Sequence, residues 1–399
     1  DFVVNYTMQK NRRKEVTAMR KTLCILLLLL ALAAPALAQT QVDEVRTQIG
    51  ENYVAYPQLT GMADEAVQKK INDDIVLSSG VANHLVTLAT LGDSPWGLKV
   101  DYQVKLLGEN VFSAVINAEG KMPDGHEGQA YSALTYDLAT GERLTLDALF
   151  EDVDAAVAWM EAAAEESLGQ ELSGYMEYSD ITPLPREAFT LDADGITFWY
   201  PSDQLRLMSG YSGACQFFYS ELAPFLLTEE DAVPTQIGAV QAPLSQQEAR
   251  KAIEDAVTEG KLPHVPVTLG DRMTDVVDRY RLLRTPDEFP GGRYYVLEDP
   301  AFREILVISD AIQSGYGASV VEGVQMRRGD LCGLLIGQAV REDWRAILGE
   351  PDETMTFTDG MAYDYGLPAG ESDVYHFGKH ELRLHADADG VLRAVQLGK

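Results

Sequence analysis

The chain has 399 residues and carries 32 Lys and Arg against 62 Asp and Glu, a net charge of −30 at neutral pH. A surface of that sign repels nucleic acid and anionic lipid and draws in basic partners, or serves solubility alone. The first 38 residues hold six basic and two acidic side chains, so the remaining 361 carry −34, a length that suits about two domains of roughly 100–200 residues each.

Those first residues read as a leader. Met19-Arg20-Lys21 is a basic start, Leu23 to Ala34 an apolar run, Pro35 its break, and Ala36-Leu37-Ala38 the small–x–small pattern of a signal-peptidase site. The run is too short for a membrane span of about 20 residues. Residues 1–18 are read as upstream translation, with cleavage expected after Ala38. The expected location is secreted or cell-envelope, with no transmembrane anchor after cleavage.

A first strand is expected over 41–56, closed by Pro57. Asp64 then caps a helix to Leu77 with Val67, Ile71 and Ile75 on one stripe, and Val81 to Leu91 continues it beyond Gly80. Leu98, Val100, Tyr102, Val104 and Leu106 alternate as a strand, and Gly108-Glu109-Asn110 turns the chain into Val111–Ala118. The stretch Gly120–Phe150 is the centre of the pattern. Ser132, Leu134, Tyr136 and Leu138 alternate with Tyr131, Ala133 and Thr135, the mark of a half-buried antiparallel strand. A tip at Ala139–Glu142 leads to a return strand that buries Leu144 and Leu146. Asp152 caps a helix whose stripe runs from Val153 to Leu168 and which Gly169 is expected to stop. Phe189–Leu191 and Ile196–Tyr200 form a hairpin, Pro201–Ala214 an irregular loop, and Cys215–Tyr219 a last strand. The lack of βαβ regularity predicts an α+β fold with an antiparallel sheet and packed helices over 39–227.

Acidic, Pro-containing 228–243 is expected to be a linker. Residues 244–399 open with a helix, Ser245–Val257, and then repeat themselves. Val267-Thr268-Leu269-Gly270 and Leu334-Leu335-Ile336-Gly337 each precede a short helix and apolar strands, a tandem α-β-β-β unit at about 264–326 and 333–398.

Three segments, Tyr136–Phe150, Phe189–Pro201 and Phe217–Leu226, resemble an extracytoplasmic domain. It is shared by the lysozyme-sensing exterior of an anti-sigma factor (RsiV-like) and the N-terminal half of peptidoglycan deacetylases (PdaC-like). The resemblance covers about 41–227. It implies that the loop after Ile196–Tyr200 reaches into a partner, with Pro201, Ser202, Asp203, Gln204, Leu205 and Tyr211 as contact residues. This loop reads PSDQLRLMSGYSG and departs from that family's aromatic-plus-Pro pattern. Leu334–Glu353, ending in Leu-Gly-x-Pro, resembles the tandem α/β units of secreted β-lactamase-inhibitor-like and outer-membrane assembly lipoprotein domains.

Catalytic and metal patterns are incomplete. His376, His380 and His385 lie near Glu381, but Glu381–Ala386 alternates as a strand, where H-x-x-x-H spacing does not converge on one ion. Asp387-Ala388-Asp389-Gly390 and Asp192-Ala193-Asp194-Gly195 have wrong residues at the outer positions of a calcium loop and read as hairpin turns. Gly210-Tyr211-Ser212-Gly213-Ala214 lacks the last Gly of a nucleophile elbow. No metal, cofactor or catalytic set is expected. Cys215 and Cys332 either pair, tying the halves together, or are two packed thiols. Among Trp199, Tyr200, Tyr211, Phe217, Phe218 and Tyr219, those not facing the core would stack on a sugar or fill a partner's cleft. The expected function is non-enzymatic binding of a basic, lysozyme-like protein or of a peptidoglycan glycan, and no nucleic acid. The rival is a peptidoglycan hydrolase or a deacetylase-associated module.

Overall fold

The computed structural model describes residues 40–91, 97–121, 127–172, 183–200, 214–282, 287–289, 292–298, 306–309, 319–360 and 367–399. The expected leader lies outside them. Gly50, at φ +61°, ends β1 (Gln41–Ile49) and starts β2 (Asn52–Thr60). The single strand expected over 41–56 is therefore a hairpin, and Pro57 lies inside β2 instead of closing it. β2 bonds its next neighbour only through Tyr53 and Val54, so beyond them its far flank has no ladder to break.

Asp64 accepts hydrogen bonds from the amides of Ala66 (2.8 Å) and Val67 (3.1 Å) and caps α1 (Glu65–Ser78). Gly80, at φ +82°, turns the chain into α2 (Val81–Leu91). Both helices cover one face of a five-stranded sheet completed by β3 (Leu98–Leu107), β4 (Val111–Lys121) and β5 (Glu127–Asp137), in the order β1-β2-β3-β4-β5. No single helix among the described residues is long and apolar enough to cross a membrane.

The second face of this sheet is also covered. After α3 (Val153–Leu172) come β6 (Phe189–Leu191), β7 (Gly195–Trp199) and β8 (Ala214–Phe218), an antiparallel three-stranded sheet packed on β4 and β5. The return strand expected after Glu142 is a single bridge, Tyr136↔Arg143, leading into a 3-10 turn at Leu146–Ala148. Over 133–136, β5 is thus buried on both faces, Leu134 and Tyr136 towards the helices and Ala133 and Thr135 towards the small sheet. α3 runs past Gly169, since one interior Gly costs only about 1 kcal/mol relative to Ala. Residues 228–243 pack on this half: Ala239 is buried and Val233, Ile237 and Val240 lie against the same cluster as Phe217.

Ser245 and Glu248 form a reciprocal cap on α4 (Gln246–Thr258). α5 (Met273–Arg279) leads into β9 (Arg281–Leu282), β10 (Asp287–Phe289), β11 (Gly292–Glu298), β12 (Leu306–Ser309) and β13 (Val321–Met326). After the short pair β14 (Asp330–Leu331) and β15 (Leu334–Leu335), α6 (Arg341–Leu348) leads into β16 (Glu353–Phe357), β17 (Gly370–Phe377), β18 (His380–Asp387) and β19 (Leu392–Gly398). The two antiparallel meanders join into one sheet along β13 and β19, with Val324 opposite Leu397. Their entries match bond for bond. Gly270 N donates to Val321 O (2.8 Å) and Met273 N to Ser319 O (3.0 Å); Gly337 N donates to Leu392 O (2.7 Å) and Arg341 N to Gly390 O (3.1 Å).

The halves meet through buried charge. Glu221 accepts from Arg328 (2.9 Å) and from the amides of Phe218 and Gly329. Phe218 belongs to the core of the second half, and Gly329, at φ +82°, passes so close that a Cβ would meet its ring at 3.1 Å. His264 sits 3.2 Å from Asp330 and 3.7 Å from Asp194, its ring 4.6 Å from that of Phe218. Its backbone is left-handed, φ +61°, a strained state for a non-glycine residue that these contacts hold in place.

Burial alone would lower the His264 pKa, but the hydrogen bonds and charges of Asp194 and Asp330 outweigh it and raise it to about 9. A folded-state pKa above the unfolded value of about 6.5 gives stability that is complete below that value and lost as pH rises through about 9. Urea unfolding is expected to show a loss on the order of 2–3 kcal/mol between pH 6 and pH 10, and His264→Gln to remove most of that slope. An unchanged slope would show that His264 does not couple the halves.

A candidate acidic cleft

A cleft of about 1010 Å³ opens where the end of β5, the 3-10 turn and the first turn of α3 converge, with residues 186–189 forming the opposite wall. Beneath it, two buried hydroxyls, of which only Thr135 reaches the lining, tie the two sheets together. Thr135 donates to the Phe189 carbonyl (2.8 Å), Ser113 accepts from the Leu191 amide (2.9 Å), and the two oxygens lie 2.9 Å apart. This buried pair replaces apolar contact between the sheets and fixes the position of β6 over β5.

The cleft's charges are unequal. Asp147, Glu151, Asp152, Asp154 and Glu187 line it together with Arg143 and Arg186. Arg186 pairs with Asp154 at 2.9 Å. Arg143 pairs with Asp74 at 2.7 Å, on the carboxylate oxygen that also accepts the Tyr136 hydroxyl at 2.7 Å. Burial works to raise the Asp74 pKa, yet donors from Ser78, Tyr136 and Arg143 hold it below the usual carboxylate range. Both guanidiniums are thus neutralised locally. Asp147, Glu151, Asp152 and Glu187 are exposed and bear no ion pair of their own among the described residues. The lining contains no His, Ser or Cys. Such a surface can attract and orient a cation, and within it the Thr145 hydroxyl donates to Asp147 at 3.3 Å.

The partner residues implied by the resemblance, Pro201, Ser202, Asp203, Gln204, Leu205 and Tyr211, lie outside the described residues. The aromatics beside that loop do not provide the exposed platform expected of some of them. Trp199, Tyr200, Phe217, Phe218 and Tyr219 are all buried. Trp199 donates to Thr190 Oγ1 (2.8 Å) and packs at 4.9 Å against Tyr131, because the small sheet is covered on both faces.

The three histidines reach three environments. His376 is exposed beside Asp352 (3.3 Å) and Glu381 (3.7 Å). His380 is buried with its Nδ1 2.6 Å from the Val257 carbonyl. His385 is buried with Nε2 on the Pro368 carbonyl (2.8 Å) and Nδ1 on the Ser372 hydroxyl (2.9 Å). Burial lowers the His385 pKa, so the ring is neutral at pH 7, donates from Nε2 and accepts from Ser372. By composition this is a nucleophile and its base, but both side chains are at most 2 % exposed. Among the described residues no group of three or more His, Cys, Asp or Glu is placed to hold a metal. Asp192 and Asp387 accept amides within their own turns. Cys215 is buried on β8. Cys332 stands half-buried at φ +51°, its thiol pushed up to about 11 by burial and then by Asp330, and no disulfide joins the two.

The carboxylates of the cleft carried no motif. Glu151-Asp152-Val153-Asp154 is legible only as the start of a helix, and Glu187 comes to the same surface through the packing of β6 on β5.

No family model matches the chain, and neither does any curated protein. Solved structures similar to parts of it belong to families of unknown function. A DUF3298 family member from Bacteroides fragilis is 14 % identical, covering 50 % of this chain and 97 % of its own, with a TM-score of 0.34. A DUF3298 family protein from Pseudomonas aeruginosa is 11 % identical over 47 % of this chain and 94 % of its own, at 0.34. A DUF4309 family protein from Bacillus subtilis is 13 % identical over 38 % and 97 %, at 0.25.

Thr135→Val is expected to destabilise the protein by roughly 1–3 kcal/mol in urea unfolding, because the Phe189 carbonyl and the Ser113 hydroxyl each lose a buried partner. Ser113→Ala combined with it is expected to cost less than the sum of the two. Strict additivity would mean that the hydroxyls do not act as a pair.

Proposed function

We propose that this is a secreted or cell-envelope binding protein, without a reaction of its own, whose acidic cleft receives a basic protein of the lysozyme class. We assign its first half to the RsiV-like and PdaC-like extracytoplasmic type on the segments Tyr136–Phe150, Phe189–Pro201 and Phe217–Leu226. The reading rests on one observation above the others. The cleft exposes Asp147, Glu151, Asp152 and Glu187 while its two arginines are already paired. Four like charges on one concavity repel each other in the unbound protein, and a cationic partner relieves that repulsion as it docks. Exposed pairs of this kind contribute little each, so they set approach rate and partner choice more than affinity.

The signal-peptide pattern at Met19–Ala38 supports the location, and the net charge of −30 supports the sign of the partner. Trp199 N donates to the Ala188 carbonyl at 2.8 Å, so β7 ends beside the cleft wall formed by Arg186 and Glu187.

Binding of a basic muramidase, followed by calorimetry, is expected to weaken steeply as salt rises, since screening shortens the reach of exposed charges to about 10 Å at 0.1 M. Glu151→Lys with Glu187→Lys is expected to weaken it about tenfold or more, with unchanged circular dichroism because both positions are exposed. Absence of binding at low ionic strength would defeat the reading. Binding of uncharged glycan, insensitive to salt and to these substitutions, would move the ligand from protein to cell-wall polymer.

A further inference from the structure

Among the described residues the outer flank of β1 is an open sheet edge. Its inner flank pairs with β2 residue for residue, from Gln41↔Thr60 to Ile49↔Asn52, with no bulge. β1 stands last in the order of the five-stranded sheet, and no described strand bonds its other side. It is nine residues long, contains no Pro or Gly, and none of its residues is buried. Protein sheets usually protect an edge of this length with a bulge, a proline, charged side chains or a covering segment, because its unbonded amides and carbonyls recruit another strand, and of these β1 has the charges Asp43, Glu44 and Arg46.

The charges of β1 are arranged for its own copy. When a strand pairs antiparallel with itself, the two-fold axis passes through one residue and pairs its neighbours crosswise. An axis through Val45 sets Glu44 opposite Arg46 on one side and Arg46 opposite Glu44 on the other. An axis through the residue before or after sets Glu44 against Glu44 or Arg46 against Arg46, and directly opposed like charges destabilise a sheet. In the single chain Glu44 and Arg46 already share a face, 3.9 Å apart, and the Arg46 guanidinium lies 3.8 Å over the Tyr53 ring, which keeps it on that face. Asp43 falls opposite Thr47 in this register and meets no like charge.

We propose that β1 is a homodimer interface, pairing antiparallel with β1 of a second copy about Val45 so that the two five-stranded sheets become one. Two reciprocal Glu44–Arg46 pairs fix the register. The proposal is independent of the cleft, which lies at the β5 side of the sheet.

Sedimentation velocity of the full chain, from low to high micromolar concentration, is expected to show a monomer–dimer equilibrium. Glu44→Arg turns both crosswise pairs into opposed guanidiniums and is expected to weaken the dimer about tenfold or more. Arg46→Glu opposes two carboxylates in each pair and is expected to do the same, which keeps the test available should the first variant not fold. The exchange Glu44→Arg with Arg46→Glu rebuilds both pairs and is expected to return the dimer to within about threefold of the parent. Thermal unfolding checks that each variant is folded. A monomer at every concentration overturns the proposal. So does a single variant that dimerises as tightly as the parent, or a double variant that remains as weak as the singles.

Discussion

Everything on either side of Phe218 depends on how a few charges are buried there. Glu221, 8 % exposed, takes a guanidinium and two amides, and His264 stands between Asp330 and Asp194. A charge left buried there without its partner would cost several kcal/mol, so removing one member of either set is strongly destabilising. Phe218 adds the apolar part of the joint, belonging by sequence to the small sheet and by packing to the core of the second half. A salt bridge of this kind adds little net stability over an apolar contact. What it adds is a fixed orientation, since Arg328, Gly329 and His264 must all find their partners at once.

The second half shows how a duplicated unit buries its edges. Each meander alone would present an open strand, β13 or β19, and pairing the two removes both edges. α6 is then held to the second meander by Asp373, which is fully buried and accepts from Trp344 (3.0 Å), Arg345 (2.8 and 2.9 Å) and Thr354 (2.9 Å). Burial would raise the Asp373 pKa, but these donors outweigh it and keep the carboxylate ionised. Buried His385 and Ser372 belong to the opposite face of the same sheet, where they serve packing.

The acidic character of the chain is unevenly used. Many carboxylates are consumed in local pairs along helices, such as Lys69–Asp73 and Arg250–Glu254, where they contribute a few tenths of a kcal/mol. Asp147, Glu151, Asp152 and Glu187 around the cleft are not, and that difference gives the surface its direction. β1, at the far edge of the same sheet, carries both signs, with Glu44 and Arg46 flanking Val45, a pattern suited to register.

Local features were legible in the sequence wherever one residue type decides them: the cap at Asp64, the break at Gly80, the alternation of Leu98–Leu106, and with them an α+β fold. Tertiary structure decided what periodicity cannot express. Pro57 could sit inside a strand because only Tyr53 and Val54 bond the next one. β5 lost its solvent face because a second sheet lies on it, and the aromatics of β7 and β8 were buried for the same reason. The cleft depends on Glu187 and Asp147 becoming neighbours across 40 positions, and the junction on His264 meeting Asp194 across 70. A residue's type sets what it can bond to, but only the closed chain sets which groups lie within about 3 Å, and charge acts through that distance.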